Sequence, residues 1–153
     1  MIIIYHCSGG SHSSILAAHI HIGILPGDRI PSPQEIVEKT NFDTACRKEW
    51  GLVKVVGTDE HQNMICTMGR RFSTDIVIQA LNSFHRIAGV KEELQLINIH
   101  TNVNFLMKIG GALSRGFKLV SIGRPLVLKG SLMAYRDIAE VVNNVKDRLY
   151  HHE

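Results

Sequence analysis

Ile3-Ile4-Tyr5-His6-Cys7-Ser8-Gly9-Gly10-Ser11-His12-Ser13-Ser14-Ile15-Leu16-Ala17-Ala18 runs an apolar strand straight into a Gly/Ser loop and then into an apolar helix. Ile2 to His6 is nearly continuously apolar without clean alternation, which predicts a central strand buried on both faces. Ser13 or Ser14 is placed to cap a helix running to about Ile22, where Gly23 supplies a left-handed stop. Strand, glycine turn and helix in immediate succession are the opening unit of an α/β sheet. The same arrangement aims backbone N–H groups and a helix N-terminus at an anion.

Working outward, Pro26-Gly27-Asp28 and Pro31-Ser32-Pro33 punctuate a connector. Ser32 then precedes Pro33 at a first helical position and Glu35 in the first turn, predicting a second helix to about Thr40. Asn41 to Gly51 fits no single element. Leu52 to Val56 and Met64 to Thr67 read as antiparallel strands around the polar loop Gly57 to Asn63. Ser73 or Thr74 opens an amphipathic helix through Ile76, Val77, Ala80, Leu81, Phe84 and Ile87, which Gly89 ends. Leu94 to Ile99 predicts another strand, followed by a His100-Thr101-Asn102 corner and a helix from about Asn104 to Ser114. Gly110-Gly111 inside that helix costs about 1 kcal/mol per glycine against Ala, so a close backbone approach or a break is expected there. Phe117 to Ile122 reads as a strand, Gly123-Arg124-Pro125 as a turn, Leu126 to Leu128 as a short strand, and Ser131 as the start of a last helix reaching about Leu149.

This alternation predicts one α/β domain over residues 1–153: a three-layer, Rossmann-like sandwich with a mostly parallel sheet and an antiparallel hairpin. Ligands of such sheets bind beyond the carboxyl ends of the strands. That edge should collect His6 to Ser14, Gly69-Arg70-Arg71, His100-Thr101-Asn102 and Gly123-Arg124, with Asp59 and His61 of the hairpin at the opposite edge.

Composition narrows the partners. The 153 residues are 44% apolar and 20% charged, so disorder and coiled coil are poor readings. No segment approaches the roughly 20 apolar residues of a membrane span, and the start of the chain lacks the flank and length of a signal peptide, so a cytoplasmic protein is expected. The net charge of +3 is spread along the chain without interleaved aromatics, which argues against nucleic acid. Cys7, Cys46 and Cys66 have no CxxC spacing and read as free thiols. His19 and His21 are two apart on a helix and face away from each other, so no metal site and no cofactor are expected.

The chemistry concentrates in the opening loop. Gly9 and Gly10 leave no Cβ between the backbone and an oxyanion, and Ser8, Ser11, Ser13 and Ser14 add hydroxyls. Cys7 at a sheet edge beside a helix N-terminus is a candidate nucleophile, with His12 as its acid/base partner, because His6 must point to the opposite sheet face. Arg70, Arg124 and Arg115 are candidates for gripping a phosphate or carboxylate.

Three anion loops set the comparison. Walker A loops carry Lys where His12 stands. The low-molecular-weight tyrosine phosphatase loop, which also begins with Cys at a strand end, has its essential Arg where Ser13 stands. Cys7-Ser8-Gly9-Gly10-Ser11-His12-Ser13-Ser14 most closely resembles the phosphocysteine loop of sugar phosphotransferase IIB subunits, with Cys, Gly three residues later and then hydroxyl residues; that likeness implies phosphate held by amides and hydroxyls without Arg. Over the whole chain, Tyr5-His6-Cys7-x-Gly9-Gly10-Ser11-His12-Ser13-Ser14, Asn104-x5-Gly110-Gly111-x2-Ser114-Arg115 and Gly123-Arg124-Pro125-Leu126-Val127 resemble the bacterial family known as domain of unknown function 3189. This resemblance implies a bacterial cytoplasmic single domain and no substrate. The expected partner is a phosphorylated small molecule or nucleotide bound at the loop, with phosphoryl-transfer or hydrolase chemistry. The alternative is a non-catalytic regulatory or interaction protein whose loop is structural or a ligand sensor.

Overall fold

A computed structural model describes residues 1–45, 47–71, 73–99, 109–110 and 120–150. Its sheet is built from β1 (Ile2–Cys7), β2 (Val53–Thr58), β3 (Met64–Gly69) and β4 (Leu94–Asn98), in the order β2-β3-β1-β4. β1 is central and parallel to both β3 and β4, while β2 closes the hairpin antiparallel to β3. The α/β fold with a mostly parallel sheet and one antiparallel hairpin is therefore as the sequence predicts. The hairpin end meets the amino end of β1 through Met64 N–H to Met1 C=O, so Asp59 and His61 do lie at the edge opposite the loop.

Strand alternation sorts the core into two layers. Ile3, Tyr5, Ile65, Ile97 and Ile99 face α1 (Ser13–His21), α2 (Pro33–Lys39), α4 (Val120–Met133) and α5 (Tyr135–Tyr150). Ile4, Cys66 and Met68 face α3 (Thr74–Ile87), where Val77 and Leu81 cover them. Three layers result. All nine residues of α1 are buried, which accounts for its apolar character on every side. α3 buries no residue fully, and Ile76, Phe84 and Ile87 of its apolar stripe stay exposed.

Local signals set most boundaries. At α2, the Ser32 hydroxyl accepts from the Glu35 N–H while the Glu35 carboxylate accepts from the Ser32 N–H, a complete capping box with Pro33 at the first helical position. Gly23 and Gly89 hold left-handed φ values of 74° and 64° just past α1 and α3.

Three expectations are corrected. The N-cap of α1 is His12, without a side-chain cap, and Ser13 and Ser14 lie inside the helix, where the Ser14 hydroxyl is engaged by Cys7. Residues from Val120 onward form a helix, so the strand ending at Ile122, the turn Gly123-Arg124-Pro125 and the strand Leu126 to Leu128 do not exist; Phe117 to Leu119 lie outside the described residues. A short apolar run cannot by itself separate strand from buried helix, and here burial recurs at Gly123, Val127, Gly130, Ser131 and Ala134, a helical period. Pro125 only removes one N–H of the ladder. Finally, Ser131 sits within α4, and the last helix begins at Tyr135.

Gly110 makes the close approach expected of it, since a Cβ there would lie 2.5 Å from the Val127 nitrogen and 2.9 Å from the Gly123 carbonyl oxygen. Its neighbour Gly111, the corner His100-Thr101-Asn102 and the rest of the predicted helix from Asn104 to Ser114 except Ile109 lie outside the described residues. Among the described residues no helix is long and apolar enough to cross a membrane.

Candidate functional site

The carboxyl ends of β3, β1 and β4 each present one polar group to the same place. Alternation turns His6 toward the α3 side, where its Nδ1 accepts from Arg70 Nε–H at 2.9 Å. Arg70 stands one residue past β3, and its other nitrogens donate to Asn98 Oδ1 at the end of β4 (3.1 Å) and to the Arg71 carbonyl (3.3 Å). Burial, and then the guanidinium beside it, push His6 down to about 4. At neutral pH the ring is uncharged, and with Nδ1 accepting, its proton sits on Nε2. Arg70 is itself only 5% exposed, and among the described residues no carboxylate lies within ion-pair distance of it. A buried guanidinium held by neutral groups alone is an uncompensated positive charge.

On the α1 side, Cys7 Sγ accepts the Gly10 N–H at 3.2 Å and lies 3.3 Å from Ser14 Oγ. The loop is pinned to β3 by backbone. Arg70 N–H donates to the Cys7 carbonyl, Arg71 N–H donates to the Ser8 carbonyl, and Gly10, with φ 67°, packs against Gly69 so closely that a Cβ would sit 2.5 Å from the Gly69 nitrogen. Gly9 is different, because among the described residues a Cβ there would meet nothing within 4 Å. The first turn of α1 begins with Leu16 N–H to His12 C=O. Among the described residues nothing accepts from the N–H groups of Gly9, Ser11, His12, Ser13 or Ser14. The Ser13 hydroxyl is buried, with no partner among the described residues.

A third arm comes from a stretch with no predicted structure. Asp43, fully buried with φ 56°, donates its N–H to the Ser11 carbonyl at 3.0 Å. Its carboxylate takes His12 Nε2 at 3.0 Å and Arg124 Nε at 3.4 Å. Phe42 lies against the His12 ring, with centroids 5.2 Å apart. On the other rim, Gly51 N–H donates to the Gly69 carbonyl, and the Arg71 guanidinium lies 5.0 Å over the Trp50 ring. Phe42 and Asp43 thus hold the loop itself, while Trp50 and Gly51 meet the end of β3 and Arg71 that pin it.

Of the candidates named from sequence, Cys7, Ser8, Gly9, Gly10, Ser11, His12, Ser13, Ser14, Arg70 and Arg124 gather at this edge; Arg115 lies outside the described residues. Arg124 arrives from helix α4, not from a strand end. Asp43 and Asn98 went unrecognised. Asn-Phe-Asp suits a turn, which hints at the left-handed Asp43, but nothing in the spacing ties it to His12, 31 residues away. Cys7 and Cys66 are free and buried, and Cys46 lies outside the described residues. Among the described residues no three His, Cys, Asp or Glu side chains group to hold a metal ion.

His21 anchors a separate cluster at the opposite edge. Its Nδ1 pairs with Tyr5 Oη at 2.7 Å, and its Nε2 lies 3.2 Å from Asp59 Oδ2 and 3.1 Å from Tyr150 Oη. Burial pushes Asp59 up, but hydrogen bonds from Tyr150, the Asn63 backbone and side chain, and His21 outweigh it and hold the carboxyl at about 2. This network joins α1, the hairpin and α5.

No curated protein and no solved structure matches the chain. The model of the family described as Protein of unknown function (DUF3189) matches residues 2–147, a span that contains β1, the loop from Cys7 to Ser14, Asp43, Arg70 and Arg124. The chain belongs to the DUF3189 family.

Proposed function

We propose that the loop from Cys7 to Ser14 binds the phosphate of a small cytoplasmic molecule, a phosphorylated metabolite or a nucleotide, as a site for phosphoryl transfer or hydrolysis. The observation that carries this reading is Arg70, a buried guanidinium with no carboxylate among the described residues, whose backbone N–H meets the start of a loop in which the Gly9, Ser11, His12, Ser13 and Ser14 N–H groups have no acceptor among the described residues. Buried charges are ordinarily paired, and an oxyanion supplies the missing partner. The open space beside Gly9 leaves room for it. Helix α1 adds a favourable dipole and the N–H groups of its first turn.

Thermal unfolding in increasing phosphate, sulfate and nucleoside monophosphate tests the reading. A bound anion raises the wild-type midpoint with the logarithm of ligand concentration, equivalent to about 2.7 kcal/mol at a hundredfold excess over Kd. Arg70→Gln should lose that dependence. A wild-type midpoint indifferent to all three anions counts decisively against the proposal.

The contact of Gly10 with Gly69 favours a second reading, a non-catalytic interaction protein whose loop is structural, since it accounts for one glycine without any ligand. Thiol labelling of Cys7 no faster than of Cys66, together with no hydrolysis of generic phosphoesters, would favour that reading.

A further inference from the structure

The environment of His12 supports a more specific assignment, which rests on the anion reading above. Asp43 engages Nε2 of the imidazole, and its carboxylate can only accept, so the ring proton of neutral His12 resides on Nε2. Nδ1 is left without a partner among the described residues, on the residue that caps α1 beside the loop. Three elements hold this arrangement. The Asp43 N–H is anchored on the Ser11 carbonyl, Phe42 lies against the ring, and Arg124 approaches the second carboxylate oxygen from α4. A fully buried carboxylate in a left-handed backbone conformation costs stability, and it is retained here where it fixes the orientation and tautomer of one imidazole.

We infer that His12 is the proton-carrying group of the anion site and that Asp43 is its positioning residue. The bound oxyanion is met by Nδ1–H of the imidazolium, while Nε2–H stays with Asp43. Neutral His12 offers the anion a lone pair at Nδ1, which repels it; protonated His12 offers a donor. Anion binding is therefore coupled to the uptake of one proton at Nδ1. Among the described residues, the charged groups seen in contact with this imidazole and its carboxylate are Asp43 and, at 3.4 Å from the carboxylate, Arg124.

Sulfate is the probe, because it keeps its double charge between pH 5 and 9 whereas phosphate titrates there. Calorimetry across that range, in buffers of different ionisation enthalpy, reads both affinity and proton uptake. Wild-type affinity should fall up to tenfold per pH unit above a midpoint, with proton uptake approaching one per sulfate. His12→Gln should bind sulfate without pH dependence or proton uptake. Asp43→Asn keeps a residue that tolerates left-handed φ and should move that midpoint to lower pH. Long-range 1H–15N correlation spectra of the sulfate-free protein read the tautomer without any ligand, and neutral His12 should carry its proton on Nε2. A Nδ1–H tautomer, a wild-type affinity that ignores pH, or an unmoved midpoint in Asp43→Asn each overturns the assignment. Binding without pH dependence leaves the anion site standing and removes only the role of His12, whereas no sulfate binding at any pH removes both.

Discussion

Replacing Gly10 by Ala should cost far more than replacing its neighbour Gly9, although the two glycines look interchangeable in the sequence. At Gly10 two penalties combine. The φ of 67° costs an L-residue roughly 1–2 kcal/mol. The added Cβ would lie 2.5 Å from the Gly69 nitrogen and 2.7 Å from its Cα, so two backbone segments must part by roughly 1 Å, an overpacking cost of about 1–3 kcal/mol. That separation also strains the bonds of Gly10 N–H to Cys7 and of Arg71 N–H to Ser8. The expected loss is about 3–5 kcal/mol, a large share of the roughly 5–15 kcal/mol that holds a domain of this kind. In urea titrations followed by far-UV circular dichroism, a slope near 2 kcal/mol/M turns this into a midpoint lower by about 2 M. Gly9→Ala meets open space at an ordinary φ and should stay within about 0.5 kcal/mol of wild type. A Gly10→Ala protein within 1 kcal/mol of wild type, or equal losses for both variants, would refute the close contact between loop and β3.

Three further outcomes follow from buried polar groups. His6 titrates near 4 in the folded chain against 6.5 unfolded, so the unfolded state binds more protons between those values; stability present above pH 6.5 is lost as pH falls toward 4, by about 3 kcal/mol. Urea midpoints measured across that window should fall more steeply for wild type than for His6→Asn, and equal slopes would contradict the assignment. Asp59→Ala strips the acceptor from Tyr150, His21 and Asn63 together and should lower stability by about 3 kcal/mol or more, whereas exposed Glu38→Ala serves as a near-neutral reference. Ser131 is fully buried with a hydroxyl that has no partner among the described residues, so Ser131→Ala should raise stability by up to about 1 kcal/mol, and a clear loss in the same denaturation assay would point to a partner for that oxygen.

Much of this protein is written in short-range signals. The central β1, the turn into α1, the hairpin, the Ser32 and Glu35 cap and the stripe of α3 each depend on residues within a turn or a strand of one another, so period and capping chemistry suffice to read them. Parallel pairing then places the carboxyl ends of β1, β3 and β4 together, which is why Arg70 was legible as a site residue. The helix from Val120 was not legible, because an apolar run with Gly and Pro satisfies strand and helix patterns alike until neighbours such as Gly110 decide which packs.

An α/β sheet opening on a glycine- and serine-rich loop follows from local patterning alone, since backbone preference and apolar period are properties of neighbouring residues. Which groups meet at that loop is set by long-range packing. His6 meets Arg70 across 64 residues, and Asp43 meets Arg124 across 81. Such pairings depend on where packed layers bring the chain back on itself, and no local propensity encodes them. The same packing leaves Arg70 without a carboxylate among the described residues and joins Asp43 to His12, turning a loop readable as a turn into a candidate site for an anion and a proton.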